Sequence, residues 1–230
     1  MPSAVPAQPI IPKVTTPTPT TGTTTGGAAG GTRGTSGPDS LSGGVGANLI
    51  FGLGGSDSIL GLGGNDSLYG NDGRDSVLGG LGDDTLYGGK GSDSVSGDEG
   101  NDVLFGQQDT DTLLGDAGND TLFAGRGDDT LFGGIGNDCL SGDTGRDTLT
   151  GGAGNDTFAI GSQAEGHVIT DFTDGTDRIR LTDLTFSKLI ISAGSGSSPS
   201  TIIQLRDGKV TLATLFGVAS SSISQADFIF

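Results

Sequence analysis

The chain has no tryptophan, one cysteine and one histidine in 230 residues, and only 5% of it is aromatic. Cys139 alone cannot support an internal disulfide framework. It stands where Ser or Thr usually sits in the pattern described below, so a plain substitution is expected. His167 alone cannot supply the paired histidines of an HExxH zinc helix, and no GxSxG nucleophile elbow occurs, so zinc-protease and lipase chemistry are not expected. Basic residues are also scarce, 11 Lys and Arg against 28 Asp and Glu, for a net charge of −17. Such a surface repels a phosphate backbone, which argues against nucleic acid as a partner. No run approaches the ~18 apolar residues of a membrane span, so none is expected. Residues 1–34 lack a basic start followed by an apolar stretch, so a Sec-type signal is not expected either. Hydrophobic residues make up only 32% of the chain, too little apolar surface for a large core to offset chain entropy. Something else has to hold the molecule together.

What is abundant is glycine, 46 residues, and its placement is periodic. Fourteen consecutive nine-residue units run from Gly34 to Ala159 without insertion, for example Gly79-Gly80-Leu81-Gly82-Asp83-Asp84-Thr85-Leu86-Tyr87. Position one is Gly except at Ala124, position four is Gly except at Asp109, and position six is Asp except at Asn48. Position eight is always apolar, from Leu41 to Phe158. The segment holds twenty Asp and one Glu against Arg74, Lys90, Arg126 and Arg146, so it accounts for the whole charge imbalance. Glycine permits the positive φ of a tight turn over positions one to six. Positions seven to nine then read as a short strand with the eighth residue inward. Evenly spaced aspartates supply hard oxygen donors of the kind a calcium ion takes.

This pattern resembles the RTX, or haemolysin-type, calcium-binding repeat GGxGxDxUx, over 126 of the 230 residues. The resemblance implies an all-β fold: a parallel β-roll, a right-handed β-solenoid of two sheets and about seven coils, followed by a small β-rich C-terminal cap. It also implies that each Ca²⁺ lies between one turn and the turn two units on, held by backbone carbonyls and by Asp side chains. Carried onto this sequence, the ligands are Asp39, Asp57, Asp66, Asp75, Asp84, Asp93, Asp102, Asp111, Asp120, Asp129, Asp138, Asp147 and Asp156. Fourteen turns then allow at most about twelve ions. Turns holding Asn48 or Asp109 are expected to be weak. Without metal the stacked carboxylates would repel, so folding and calcium binding are expected to be one linked process.

The outward positions carry a second pattern. Position seven is Ser or Thr in eleven units, and position nine of the even units places Phe51, Tyr69, Tyr87, Phe105 and Phe123 eighteen residues apart. A stacked ladder stiffening one sheet is one reading of that stripe. A face for an extracellular glycan or protein partner is the other. Leu60, Leu78, Leu114 and Phe132 occupy position nine of odd units, on the opposite sheet.

Residues 1–33, rich in Pro, Thr and Gly, read as a disordered leader or linker, 34–159 as the roll, and 160–230 as a β-rich cap with a secretion-signal region. Strands are expected at 167–172, 177–181, 188–192, 201–205 and 209–215, with turns at Asp174-Gly175 and Asp207-Gly208. His167 falls in one of these strands and is expected to be structural. The region resembles the one following the roll in serralysin-type secreted proteins, and Asp227-Phe228-Ile229-Phe230 is similar to their uncleaved signal for type I (ABC) export. That likeness implies an extracellular protein of a Gram-negative-type bacterium, either released or associated with the cell surface. The expected function is calcium binding in a structural or surface-associated role. The alternative is a polysaccharide- or protein-binding module using the aromatic face. The repeated aspartates are committed to calcium rather than to a glycosidic carboxylate pair, so no enzyme is expected.

Overall fold

Side chains alternate across a strand, so one apolar residue per unit can line a narrow interior. All fourteen position-eight residues, from Leu41 to Phe158, are buried to 2% exposure or less. The structure, a computed structural model, describes residues 31–196, 198–206 and 210–229. Full strands are six residues long, running from position seven of one unit to position three of the next, as in Ser58–Gly63, Ser67–Asp72 and Thr85–Lys90. The turn is thereby confined to positions four to six, shorter than the six residues expected. Pairing continues through positions two and three because successive coils superpose there too, Leu53 on Asn71 and Gly54 on Asp72.

Within the roll, each strand pairs in parallel with the strand two units away, so Ile50 lies beside Leu68 and Leu68 beside Leu86. Odd and even units therefore build two separate sheets, eleven- and ten-stranded respectively among the described residues. The turns form two parallel edges, here called odd and even after their units.

The nonapeptide pattern ends at Ala159, yet the winding continues to about eight turns rather than seven. His167–Ile169 pairs in parallel with Thr148–Ala153, and Arg178–Leu181 with Thr157–Ile160. The residue spacing stretches to 20 for Leu149 and Ile169, and to 21 for Phe158 and Ile179. A longer loop projects outward without disturbing register, so Ile169 and Ile179 stay fully buried in line with the position-eight row. Thr211–Phe216 then lies parallel beside His167–Ile169, and Ser200–Leu205 and Leu189–Ala193 complete that sheet in antiparallel order. Phe228–Ile229 ends the other sheet beside Arg178–Leu181. This antiparallel end covers core that a bare last coil would expose. The turn at Asp174-Gly175 is present, whereas Asp207-Gly208 lies outside the described residues.

Of the expected leader, residues 1–30 lie outside the described residues. Thr32–Arg33 already belongs to the roll, pairing with Leu49–Gly54, and the Arg33 guanidinium lies 4.8 Å from the Phe51 ring centre.

Position two is the strained point of the unit. Leu53 and Leu62 sit there at φ 80° and 79°, a left-handed conformation that crowds a Cβ by about 1–2 kcal/mol. Leu62 is half exposed, so its side chain contributes little in return. Leu62→Gly is therefore expected to stabilise the calcium-loaded roll by about 0.5–1 kcal/mol after the entropic cost of glycine. Urea denaturation measures this, and a lowered midpoint would contradict it.

Candidate metal centre

The aspartates of position six lie along the two edges in unbroken rows. On the odd edge run Asp39, Asp57, Asp75, Asp93, Asp111, Asp129 and Asp147; on the even edge Asn48 is followed by Asp66, Asp84, Asp102, Asp120, Asp138 and Asp156. From Asp39 to Asp138, each backbone N–H in these rows donates to the Oδ1 of the aspartate one coil further on, at 2.8 Å for Asp57 to Asp75 and 2.7 Å for Asp84 to Asp102. All thirteen aspartates are buried.

The second oxygen is different. Oδ2 of eleven of them, every one except Asp39 and Asp156, is buried and accepts no hydrogen bond. Each of these oxygens faces the space above the glycine that opens its own turn, except in the unit that opens on Ala124. A Cβ built on Gly106 would lie 2.5 Å from Asp111 Oδ2 and 2.6 Å from the Ala124 carbonyl oxygen of the next coil. On Gly88 it would lie 2.6 Å from Asp93 Oδ2 and 3.0 Å from the Gly106 carbonyl oxygen. The same pair of oxygens bounds the space above Gly52, Gly61, Gly70, Gly79, Gly97, Gly115 and Gly133. A cradle walled by a carboxylate and a carbonyl oxygen, with no donor on that carboxylate oxygen, suits an ion that takes oxygen ligands at about 2.3–2.6 Å. Among the described residues no three acidic, imidazole or thiol side chains converge on one point. The cradles are therefore walled by carboxylates together with main-chain carbonyls, not by a cluster of three or more such side chains.

Burial dominates the electrostatics of these groups. It pushes the Asp111 carboxyl up to about 8, with the charges of Asp93 and Asp129 adding to the effect. Asp84, Asp93 and Asp102 are pushed up to about 7 and Asp57, Asp120, Asp129, Asp138 and Asp156 to about 6, again first by desolvation. The neighbouring backbone N–H opposes the shift in each case. A cation in the cradle would reverse it by favouring the charged form.

The irregular turns depart from this pattern in separate ways. Asn48 turns its amide oxygen back to its own turn, accepting the Gly44 N–H at 2.7 Å, and presents no free carboxylate. Asp109 adopts φ 73° in place of a glycine, and its carboxylate accepts the Gly91 N–H at 3.1 Å. Ala124 is a third irregularity: its own buried methyl stands where the other units leave the cradle open. The end turns also differ. Asp39 Oδ2 is already satisfied by the Thr35 N–H at 2.5 Å. Above Gly142 and Gly151 the three nearest atoms belong to one aspartate, with no partner carbonyl among them.

Sequence reasoning missed two residues of the rows. Asp177 accepts the Asp156 N–H at 3.0 Å and so extends the even edge by one turn. Its signal was the fragment Asp174-Gly175-Thr176-Asp177, the second half of a nonapeptide, displaced from period by the longer loop. His167 occupies the matching place on the odd edge. A further ladder decorates the even edge at position five, where the amide of Asn119 donates to Asn101 Oδ1 at 3.0 Å and that of Asn155 to Asn137 Oδ1 at 3.1 Å. Asp83 ends the run of amides; Asn101 donates to it and holds its carboxyl below the usual range.

The aromatic stripe is a continuous stack. Phe51, Tyr69, Tyr87, Phe105 and Phe123 have centroids 4.5–5.2 Å apart and near-parallel planes. Interior rings spend both faces on their neighbours and show only edges to solvent. Tyr87→Ala is expected to cost about 1–3 kcal/mol, because two stacking contacts are lost. A fall in thermal midpoint with unchanged calcium stoichiometry would show it.

A parallel two-sheet roll with carboxylate-lined cradles along both edges defines a cation-binding β-solenoid. The family model of the RTX calcium-binding nonapeptide repeat matches four times in succession, at residues 33–68, 69–104, 105–140 and 140–163. The chain belongs to that family, whose repeats bind Ca²⁺. Among solved structures, it is similar to the AlgE6R3 subunit of the Azotobacter vinelandii mannuronan C5-epimerase, with 19% identity, coverage of 100% of this chain and 86% of that one, and a TM-score of 0.30. It is also similar to the extracellular lipase LipA of Serratia marcescens, with 19% identity, coverage of 85% of this chain and 40% of that one, and a TM-score of 0.30. No curated protein matches it.

Proposed function

We propose that this is a secreted calcium-binding protein whose roll folds on taking up several Ca²⁺ ions outside the cell, in a structural or surface-associated role. The observation that carries the reading is the double row of buried, unpartnered Oδ2 atoms. The position-six aspartates named above are the side-chain ligands, with Asp177 added at the end of the even row. Position-one carbonyls complete the cradles, and the turns of Asn48, Asp109 and Ala124 bind weakly. Residues 34–159, with the strand Thr32–Arg33 ahead of them, form the binding module, 160–230 its cap, and the residues before Thr32 a leader.

Export through a type I system agrees with the acidic-apolar C-terminal sequence. In the folded protein Phe228 is buried, its ring 5.0 Å from that of Phe186, so such a signal would be read before folding. No helix among the described residues is long and apolar enough to cross a membrane. The chain acts as a binding module rather than an enzyme, its buried carboxylates being engaged by calcium. The alternative, a polysaccharide- or protein-binding role for the aromatic face, has less support, since the rings stack on one another.

Equilibrium dialysis against ⁴⁵Ca²⁺ tests the reading. Several ions per chain are expected, with fewer for Asp84→Asn combined with Asp102→Asn. Uptake of one ion or none would overturn it.

A further inference from the structure

The two edges of the roll differ on their outer sides. On the even edge the position-five amides are spent on one another, Asn119 donating to Asn101 and Asn137 to Asn119. On the odd edge a groove of about 500 Å³ runs along the turns of the third to ninth units. That volume falls within the ~300–1,000 Å³ of ligand sites. Position five contributes Arg74, Ser92 and Thr110 to the groove, and position seven contributes Ser76, Ser94 and Thr112. Ser76, Ser94 and Thr112 are consecutive in the sheet register, so their hydroxyls recur about every 4.8 Å along the axis. Among the described residues, neither the Arg74 guanidinium nor any of the five hydroxyls has a hydrogen-bond or ion-pair partner. A guanidinium offers five donors, and each hydroxyl both donates and accepts. The groove thus presents two parallel rows of free polar groups.

The lining selects the class of ligand. The backbone of the groove is already paired: Ser76, Ser94 and Thr112 donate their N–H groups to the Asp57, Asp75 and Asp93 carbonyls at 2.8, 2.9 and 2.9 Å. An added peptide strand therefore finds no free ladder group there. No apolar side chain lines the groove, so the aromatic or aliphatic anchors of a protein partner have no pocket to fill. Nor does positive charge recur, since Arg74 is followed along its row by Ser92 and Thr110. A chain with a charge on every unit would meet one cation, whereas a neutral polyhydroxylated chain meets a partner at every coil. We propose that this groove binds a neutral polysaccharide chain lying along the axis of the roll, with Arg74 and the two hydroxyl rows as its hydrogen-bonding partners. The site is separate from the aromatic stripe, which lies on the other sheet. The inference rests on the calcium reading only for the folded roll that presents the groove.

An array of neutral and uronate-bearing oligosaccharides, probed with the full chain at saturating Ca²⁺, tests the site, and the neutral oligosaccharide bound most strongly is then titrated by calorimetry. Saturable binding of a neutral oligosaccharide is expected. Ser94→Ala combined with Thr112→Val should weaken it about tenfold, the effect of losing two hydrogen bonds. Arg74→Gln should weaken it as well, whereas Tyr87→Ala on the other sheet should not. Circular dichroism and calcium stoichiometry equal to those of the wild type show that each variant is folded. Absence of binding to every neutral oligosaccharide, recognition of uronate chains alone, or affinity undiminished in both groove variants would overturn the proposal and leave the calcium reading intact. A wild-type chain that takes up no calcium would overturn the calcium reading alone; glycan binding by that chain, weakened in the groove variants, would still support the groove.

Discussion

Removal of calcium with excess EGTA is expected to abolish the parallel β-sheet signal in circular dichroism, and re-addition to restore it cooperatively. Ten carboxylate oxygens are buried without a partner in the folded roll, and an eleventh, Asp147 Oδ2, meets only the His167 imidazole at 3.0 Å. An unsatisfied buried polar group costs about 1–3 kcal/mol, and more when charged, so together they cost on the order of 10–30 kcal/mol. A domain's whole net stability is about 5–15 kcal/mol. The interior is one residue wide per strand and cannot offset such a cost. Bound cations can, because ions that bind only the folded state stabilise it by mass action. The effect of single substitutions should follow position. Asp102→Asn, in mid-row, is expected to raise the calcium midpoint and reduce its cooperativity. Asp39→Asn should do far less, since the Asp39 carboxylate is already paired with the Thr35 N–H. Unchanged β content in EGTA would be incompatible with the linkage.

Proton concentration is expected to act on the same groups in a defined direction. The Asp111 carboxyl moves from an ordinary 3.8 to about 8 on folding, and those of Asp84, Asp93 and Asp102 to about 7. Because these values are raised, the calcium-free fold binds more protons than the unfolded chain between about pH 4 and pH 8. Its stability is therefore greatest below the unfolded value and is lost as pH rises through 6 to 8. In EGTA, acidification to about pH 4 should recover part of the β signal that is missing at pH 8, with light scattering confirming that the chain remains monomeric. With calcium present the linkage is to the unfolded chain, whose carboxyls ionise at the ordinary 3.8. Between pH 6 and 8 they are already charged, so the calcium midpoint should stay nearly level there and rise only as pH falls towards about 4. A midpoint that falls steeply from pH 6 to 8, with acid released on binding, would mean that the carboxyls are already buried before calcium binds, against the linkage of folding to binding.

Much of this molecule was determined by the sequence alone. The nine-residue period, the inward position eight and the eighteen-residue spacing of side chains on one edge follow from strand alternation and from two units closing one coil. They hold wherever the period is strict, from Leu41 to Phe158, and the stack from Phe51 to Phe123 follows from the same rule. Tertiary structure decided what happens once the period breaks. Backbone pairing requires only that the strands meet in register, and a longer loop can leave the roll and return without cost to that register. Spacings of 20 and 21 residues thus continue the winding. They place Asp177 on the even row and His167 on the odd one, which no fixed repeat could reveal. The orphaned Oδ2 atoms were equally hidden. They exist because folding gives one carboxylate oxygen to the neighbouring coil and closes the other off from water, leaving a cation as the partner it can still take.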